Sequence, residues 1–172
     1  MVVKGLCQQN KLNEAMDIVE NMSARSDVKP NVVTFTTLIR GWCKRGDMEM
    51  ATKVFDLASK MNVVPNVVSY TTVIRGWCER GCEDRAIKVM KQMKEAGLRP
   101  DVVTFTTLIR SYCKNKNMSA AMSVLDVMRE SGLRPNDRTY NTLIQGWIEL
   151  KEMNRAMDLF KKMKRNKHVR PD

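Results

Sequence analysis

A proline followed by asparagine or aspartate recurs along the whole chain at nearly constant intervals. The pairs are Pro30-Asn31, Pro65-Asn66, Pro100-Asp101, Pro135-Asn136 and Pro171-Asp172, spaced by 35, 35, 35 and 36 residues. Similar segments follow the first four prolines: NVVTFTTLIRGWCKRG, NVVSYTTVIRGWCERG, DVVTFTTLIRSYCKNK and NDRTYNTLIQGWIELK. Self-similarity with a period between ~20 and ~50 residues is typical of repeat architectures. The chain is therefore a tandem repeat.

The repeats define the organisation of the chain. We predict a truncated repeat over residues 1–31 and complete repeats over 32–66, 67–101, 102–136 and 137–172, the last with a one-residue insertion. Residues 1–7 align with residues 37–43 of the next copy, so the first repeat lacks its opening. We expect a single continuous array that is a fragment of a longer protein. A targeting segment of that protein would lie outside this chain.

Each repeat contains the pattern of two helices. The first should begin at the Asn or Asp after the proline, which suits a helix N-cap, and continue toward Gly46 or its equivalents. Its β-branched run alone would favour a strand. The second segment has helical spacing, however, with Ala51, Val54, Phe55 and Ala58 at i, i+3, i+4 and i+7. The predicted fold class is all-α, an α-solenoid (superhelix) of stacked antiparallel helix hairpins.

Charge and hydropathy limit the class of partner. The 172 residues include 30 Lys and Arg against 19 Asp and Glu, a net charge of 30 − 19 = +11. Such a basic excess most often indicates an anionic partner such as nucleic acid, and a merely solubilising charge is the alternative. No stretch approaches the ~18 consecutive apolar residues of a membrane span. We therefore expect no membrane partner.

Residues for catalysis or metal binding are sparse. His168 is the single histidine, so a zinc site or a His-based acid–base pair has no second histidine. Four of the five cysteines recur at one repeat position, as buried packing residues do: Cys7, Cys43, Cys78 and Cys113. We predict that the chain is not an enzyme and uses no cofactor, metal or small-molecule substrate.

The repeated segment resembles a known family. The string Val-Val-Thr-Phe-Thr-Thr-Leu-Ile, then Gly-Trp-Cys-Lys, a central Ala, Met, Gly and a final Pro-Asp is similar to the P-type pentatricopeptide repeat of plant-type organellar RNA-binding proteins. The resemblance covers nearly the whole chain. It implies single-stranded RNA as the partner, one base read per repeat by two or three side chains, and a location in the mitochondrion or chloroplast.

One face of each first helix carries residues suited to this role. Val33, Thr36 and Arg40 are spaced by three and four residues, so they share a face. Such a face could hold a base against an apolar group, offer a short polar side chain to the base edge and present a cation to the phosphate. The trio recurs as Val68, Thr71, Arg75 and as Val103, Thr106, Arg110, and the last copy has Arg138, Asn141 and Gln145.

The resemblance implies a role for each of these positions. The residues that sandwich the base would be Val33, Val68, Val103 and Arg138. The phosphate contacts would come from Arg40, Arg75 and Arg110, and from Lys44 and Lys114 one helical turn further along. Glu79 and Glu149 occupy the lysine position in the other copies, so we expect an uneven basic track.

By the same resemblance, base identity is set by the residue six after each proline together with the residue that follows the next proline. Thr36 with Asn66 would read adenine, Thr71 with Asp101 guanine, Thr106 with Asn136 adenine, and Asn141 with Asp172 uracil. Asn31 belongs to the truncated repeat and lacks a partner. An Asp carboxylate only accepts hydrogen bonds, which suits guanine or uracil, whereas an Asn amide both donates and accepts, as adenine requires. The predicted target is 5′-N-A-G-A-U-3′, and simple helix capping is the alternative role of these Asn and Asp residues.

Two functions stay open at this stage. The first is sequence-specific RNA binding that acts on organellar transcripts by occupancy, in stabilisation, processing, splicing or translation. The second is a structural subunit of a large assembly such as a mitochondrial ribosome, which would bind ribosomal RNA and ribosomal proteins with little sequence selectivity. Selective binding to AGAU would discriminate between them.

Overall fold

The computed structural model describes residues 2–24 and 29–165, and these form ten α-helices. Their bounds are α1 Val2–Gln8, α2 Leu12–Ala24, α3 Val32–Arg45, α4 Met48–Lys60, α5 Val67–Glu79, α6 Glu83–Glu95, α7 Val102–Lys114, α8 Met118–Glu130, α9 Asp137–Glu149 and α10 Met153–Arg165. Two helices fall within each predicted repeat, as the sequence pattern indicates. None of these described helices has both the length and the hydropathy needed to cross a bilayer. His168 and Asp172 lie outside the described residues.

The first helix of each complete repeat begins where the sequence predicts. Its N-cap has an extended backbone, and its side chain accepts a hydrogen bond from the backbone N–H three residues later; these caps are Asn31, Asn66, Asp101 and Asn136. Such a bond satisfies one of the N–H groups that a helix leaves unpaired at its start. The β-branched run after each cap is helical because the cap starts a helix and the apolar side chains pack against neighbouring helices.

The chain divides into two compact units. The first contains the described residues up to Arg80 together with Arg85–Arg99, and the second contains Gly81–Asp84 together with the described residues from Pro100 onward. In the first unit, α3 packs against α1, α2, α4 and α5 around a core that includes Leu12, Phe35 and Leu38. In the second unit, α7 packs against α8 and α9 around Ile109, Leu125 and Leu143. The single continuous array stays a prediction.

Successive first helices approach closely at a recurring glycine. A Cβ atom at Gly76 would lie 2.6 Å from Met48 Sδ and 2.8 Å from Cys43 Sγ in the first unit. In the second unit, a Cβ at Gly146 would lie 2.7 Å from Met118 Sδ and 3.1 Å from Cys113 Sγ on α7. Small residues allow two helices to pack with a short distance between their axes. The glycine therefore sets the spacing of neighbouring repeats within each unit.

One repeat replaces this apolar contact with a polar one. Ser111 stands at the glycine position, and Glu83 stands where the neighbouring repeats have Met48 and Met118. The Ser111 hydroxyl donates to the Glu83 carboxylate at 2.6 Å, and the Asn115 amide donates to the same oxygen. A partly buried carboxylate requires such donors. The substitution of Met by Glu is thus matched by two hydrogen-bonding residues on α7.

The recurring cysteines lie in the packed interior. Cys78 and Cys113 are buried, while Cys7 and Cys43 are half-buried, and all are reduced. Burial, assisted by the Glu79 carboxylate, raises the pKa of Cys43 to about 12. Burial also raises the pKa of Cys113 to about 11, with a contribution from Glu149. The Cys43 and Cys113 thiols therefore stay protonated at neutral pH, so they act as small packing groups rather than nucleophiles.

The recurring alanine of the second helix supplies a test of the core. Ala86 on α6 is fully buried, at 0% exposure, so Ala86→Leu should overpack the interior and lower stability by ~1–3 kcal/mol. Lys88→Leu introduces the same side chain at an exposed position of the same helix. Thermal melts should show a lower midpoint for the first variant only. Equal midpoints would contradict the assignment of the buried face of α6.

Candidate nucleic-acid interface

An apolar side chain is exposed near the start of three first helices. Val33 is 67% exposed, Val68 52% and Val103 54%, although the other apolar residues of these helices are mostly buried. The equivalent residue of α9 is the exposed Arg138. An isolated exposed valine is ordinary, but recurrence at one repeat position is not. Each valine offers an apolar surface on which the flat face of a base can rest.

Two turns later, each of these three helices exposes a cation. The residues Arg40, Arg75 and Arg110 are exposed, and they take part in none of the ion pairs formed among residues 2–24 and 29–165. Lys44 and Lys114 are exposed one turn further along, at the position that Glu79 and Glu149 occupy in the other copies. These guanidinium and ammonium groups are available for phosphate.

The last complete repeat lacks this cation. Gln145 replaces the arginine in α9, and its side-chain amide donates to the Glu149 carboxylate at 3.1 Å. The arginine that recurs at this position in α3, α5 and α7 is therefore missing from α9.

The predicted base-reading threonines are less exposed than the valines. Thr36 is 8% exposed, Thr71 5% and Thr106 7%. The reason is geometric, because three residues correspond to ~300° around a helix, so each threonine lies ~60° from its valine. The Thr36 hydroxyl donates to the Val32 carbonyl at 2.7 Å and lies 2.8 Å from Ser69 Oγ on the next first helix. Thr36 thus stands at the edge of the valine face, where α3 and α5 meet.

The structure brings together two of the predicted base-reading pairs. Asn66 Oδ1 accepts from the Ser69 backbone N–H at 3.0 Å and from the Ser69 hydroxyl at 3.2 Å. Since the Ser69 hydroxyl also contacts the Thr36 hydroxyl, Ser69 joins Thr36 to Asn66.

The second unit repeats the arrangement with Thr106, Thr139 and Asn136. The Thr106 and Thr139 hydroxyls are 2.9 Å apart, and the Thr139 hydroxyl donates to Asn136 Oδ1 at 2.9 Å. In both units, therefore, one intervening hydroxyl group connects the threonine of one repeat with the cap of the next. It belongs to Ser69 in the first unit and to Thr139 in the second.

For the remaining predicted base-reading residues, the structure does not show the residue together with its predicted partner. Asp101 accepts from the Thr104 N–H and from the Thr104 hydroxyl, both at 2.8 Å, but its predicted partner Thr71 belongs to the other compact unit. Asn31 caps α3 in the same way, through Thr34. Asn141 is half-buried in α9, and its predicted partner Asp172 lies outside the described residues.

The repeats match family models along nearly the entire chain. The model described as the PPR repeat family matches residues 1–44, 30–79, 65–114 and 100–149, and the model described as PPR repeat matches residues 138–168. The chain belongs to the PPR repeat family. The resemblance to pentatricopeptide repeats that the sequence indicates is thereby confirmed.

Solved structures share this PPR architecture. The crystal structure of the pentatricopeptide repeat protein PPR10 from maize has a TM-score of 0.79 at 26% identity, over 94% of this chain and 23% of that chain. PPR10 in complex with an 18-nt psaJ RNA element has a TM-score of 0.81 at 25% identity, over 99% and 25% of the two chains. This chain thus spans about a quarter of the length of PPR10.

A third structure is similar in fold. The PPR domain of Arabidopsis thaliana protein-only RNase P 1 in complex with tRNA has a TM-score of 0.71 at 17% identity, over 93% of this chain and 84% of that chain. Together these structures confirm the predicted fold class, an all-α solenoid of helix hairpins.

The hydrogen bonds of the PPR caps determine what each paired side chain can offer to a base. Asn66 uses Oδ1 to cap α5, and its amide nitrogen has no hydrogen-bond partner among the described residues. The Thr36 proton is directed to the Val32 carbonyl, so Thr36 Oγ1 is left as an acceptor. The pair presents one donor and one acceptor. Asp101 can present only acceptors, because a carboxylate has no proton to donate.

Sequence reasoning did not find the residue that connects each pair. The connecting hydroxyl lies three residues after the cap, on Ser69 in the first unit and on Thr139 in the second. A signal was present, because a serine or threonine recurs at this position as Thr34, Ser69, Thr104 and Thr139. A hydroxyl residue is common in the first turn of a helix, so the recurrence alone does not indicate that it bridges two repeats.

Proposed function

We propose that this PPR chain binds single-stranded RNA in a sequence-specific manner, with one base per repeat and 5′-N-A-G-A-U-3′ as the target. It acts on organellar transcripts by occupancy, without cutting them. Support comes from the family, from the likeness to PPR10 in complex with an 18-nt psaJ RNA element, and from the exposed valines and arginines of the first helices. RNA-binding repeat proteins of this kind read one base with two or three side chains.

The observation that carries the proposal is the joined pair of side chains beside Val33 in the first unit and beside Val103 in the second. Thr36 Oγ1 accepts and the Asn66 amide donates, and the adenine edge is complementary, since its N6 amino group donates and its N1 accepts. Where the cap is Asp101, the carboxylate offers only acceptors, which suits the N1–H and N2–H donors of guanine. The donor and acceptor pattern of Thr36 and Asn66 therefore supports the adenine assignment, and the chemistry of the Asp101 carboxylate supports guanine.

The exposed valines and the arginines of the first helices supply affinity. A base that rests on Val33, Val68 or Val103 removes apolar surface from water on both partners. The free guanidinium groups of Arg40, Arg75 and Arg110 would then neutralise the phosphates that follow. Neither element discriminates between bases, so selectivity depends on the paired side chains.

Binding to short oligonucleotides tests the proposal. RNA that contains AGAU should bind more tightly than a scrambled RNA of equal composition, by about tenfold or more, since one mismatched base costs ~1–3 kcal/mol. Affinity should fall with salt, because each phosphate contact on a single strand contributes ~0.7 to the log–log slope; the slope should be about −2 for the three arginines alone and about −3.5 with Lys44 and Lys114. Fluorescence anisotropy at several salt concentrations measures both quantities.

The alternative function predicts a different result. A structural subunit of a ribosome-like assembly would bind scrambled RNA as well as AGAU. The acidic Glu79 and Glu149, at positions where the other repeats have lysine, make the basic track uneven, which is compatible with this alternative. Equal affinity for the two RNAs would therefore replace the first proposal with the second.

A further inference from the structure

The hydroxyl groups between successive repeats form a short chain of close oxygen contacts. In the first unit the chain runs from the Val32 carbonyl to Thr36 Oγ1 at 2.7 Å, from Thr36 Oγ1 to Ser69 Oγ at 2.8 Å, and from Ser69 Oγ to Asn66 Oδ1 at 3.2 Å. In the second unit the corresponding distances are 2.7, 2.9 and 2.9 Å. The same chain is thus present in two repeats with different hydroxyl residues, serine and threonine.

Each row of oxygen contacts includes three short distances but only two hydroxyl protons. A hydroxyl group donates one hydrogen bond, and a carbonyl oxygen donates none. The Thr36 proton serves the Val32 carbonyl, so the Ser69 proton is shared between Thr36 Oγ1 and Asn66 Oδ1. The Ser69 backbone N–H keeps Asn66 Oδ1 paired in either case. Ser69 therefore holds the Thr36 oxygen as an acceptor and holds the Asn66 side chain with its oxygen inward and its amide nitrogen outward.

The connecting residues do not reach the surface themselves. Ser69 is 1% exposed and Thr139 0%. A base on the valine face would touch the threonine or the asparagine, but not the residue between them. An effect of this residue on base choice must therefore act through the orientation and the proton arrangement of its two neighbours.

We propose that Ser69 and Thr139 are positioning residues for base recognition, which set the donor and acceptor polarity of the pairs Thr36–Asn66 and Thr106–Asn136. The inference rests on the proposed function, because it concerns how the same pairs select a base. It adds a third residue per repeat to the determinants of specificity. It also makes selectivity depend on the contact between two successive repeats, since one hydroxyl belongs to each.

Thr34 provides a matched control within the same protein. Thr34 makes the same two hydrogen bonds to the cap Asn31, at 3.0 Å from its N–H and 3.2 Å from its hydroxyl. In the described part of the chain its side chain makes no further hydrogen bond. Thr34→Ala therefore removes a capping hydroxyl without removing a bridge between two repeats, whereas Ser69→Ala removes both.

The affinities of the full chain for AGAU and GGAU test the inference. Wild-type protein should prefer AGAU, and Ser69→Ala should reduce this preference by about threefold to tenfold, the contribution of one or two hydrogen bonds. Ser69→Thr should retain the wild-type ratio, because threonine does the same at Thr139. Thr34→Ala should retain it as well. If Ser69→Ala does not fold, Thr139→Ala is measured instead with AGAU and AGGU, where the same reduction is expected.

A measurement on the free protein separates this inference from the proposed function. The side-chain amide signals of Asn66 in a ¹H–¹⁵N spectrum should shift and sharpen in Ser69→Ala, while those of Asn31 stay in place. A wild-type ratio near one would overturn the base-reading proposal and the inference with it. A wild-type preference for AGAU that persists in folded Ser69→Ala, or Asn66 signals that do not change, would overturn the inference alone.

Discussion

Asn66→Asp is expected to change the preferred RNA from AGAU to GGAU. The substitution keeps the cap of α5, because Asp101 caps α7 with the same bonds, at 2.8 Å, that Asn66 makes at 3.0 and 3.2 Å. It replaces the outward amide donor with an acceptor, so the pair with Thr36 would match guanine instead of adenine. With ~1–3 kcal/mol for each good contact, the ratio of the two affinities should change by about two orders of magnitude.

The added negative charge will weaken binding to every RNA, so the ratio within each protein is the quantity to compare. Asn31→Asp is the matched control, since it places the same charge on the equivalent cap of α3, where the first repeat is truncated. This control should lower both affinities by a similar factor and leave the preference for AGAU. If Asn66→Asp folds and keeps the wild-type ratio, Asn66 is only a helix cap, and the predicted target is wrong.

The helices could be predicted from the sequence because their signals are local and repeated. A cap after each proline, an apolar stripe in each second helix and a small residue at Ala51 or Ala86 all recur at the same period. The β-branched run after Asn31 favours a strand by propensity, but the cap and the packing of α3 against four helices override it. Periodicity was therefore more informative than the propensity of any one segment.

The candidate site could be predicted only in part. The exposure of Val33 and Arg40 follows from helical spacing, because both lie on the face opposite the core. The burial of Thr36 does not, since it depends on how closely the next first helix approaches, and that distance is set by Gly76 against Cys43 and Met48. The contact between hydroxyl groups 33 residues apart is likewise a product of helix packing, and no pattern within one repeat encodes it.

The polar contact of Glu83 is a second example of a contact that the sequence of one repeat does not predict. Glu83 departs from the Met of the neighbouring repeats, and Ser111 departs from the glycine, but these positions are far apart in sequence. Only the structure shows that the two departures compensate each other through a 2.6 Å hydrogen bond. Tertiary contacts between repeats thus determine which departures from the repeat pattern are tolerated.

Removal of the three free arginines should weaken binding to all RNA sequences alike. Gln is the matched replacement, because Gln145 occupies this position in the last complete repeat. The triple variant Arg40→Gln, Arg75→Gln, Arg110→Gln should lose about tenfold to hundredfold in affinity, since exposed charge contacts are individually modest. The log–log salt slope should become less steep by about 2, at ~0.7 for each lost phosphate contact. The preference for AGAU over GGAU should persist, because the paired side chains are untouched.

The control for this variant removes the same charge from a second helix. Lys88, Lys91 and Lys94 are exposed on α6, whereas the valines and arginines of the candidate interface belong to the first helices. Replacing these three lysines with Gln lowers the net charge equally, so a purely long-range attraction would give the same loss of affinity. If the arginines contact phosphates, the lysine variant should keep most of its affinity and a salt slope close to that of the wild type. Equal losses in the two variants would show that the basic excess attracts RNA without a defined track, and the phosphate contacts of Arg40, Arg75 and Arg110 would be rejected.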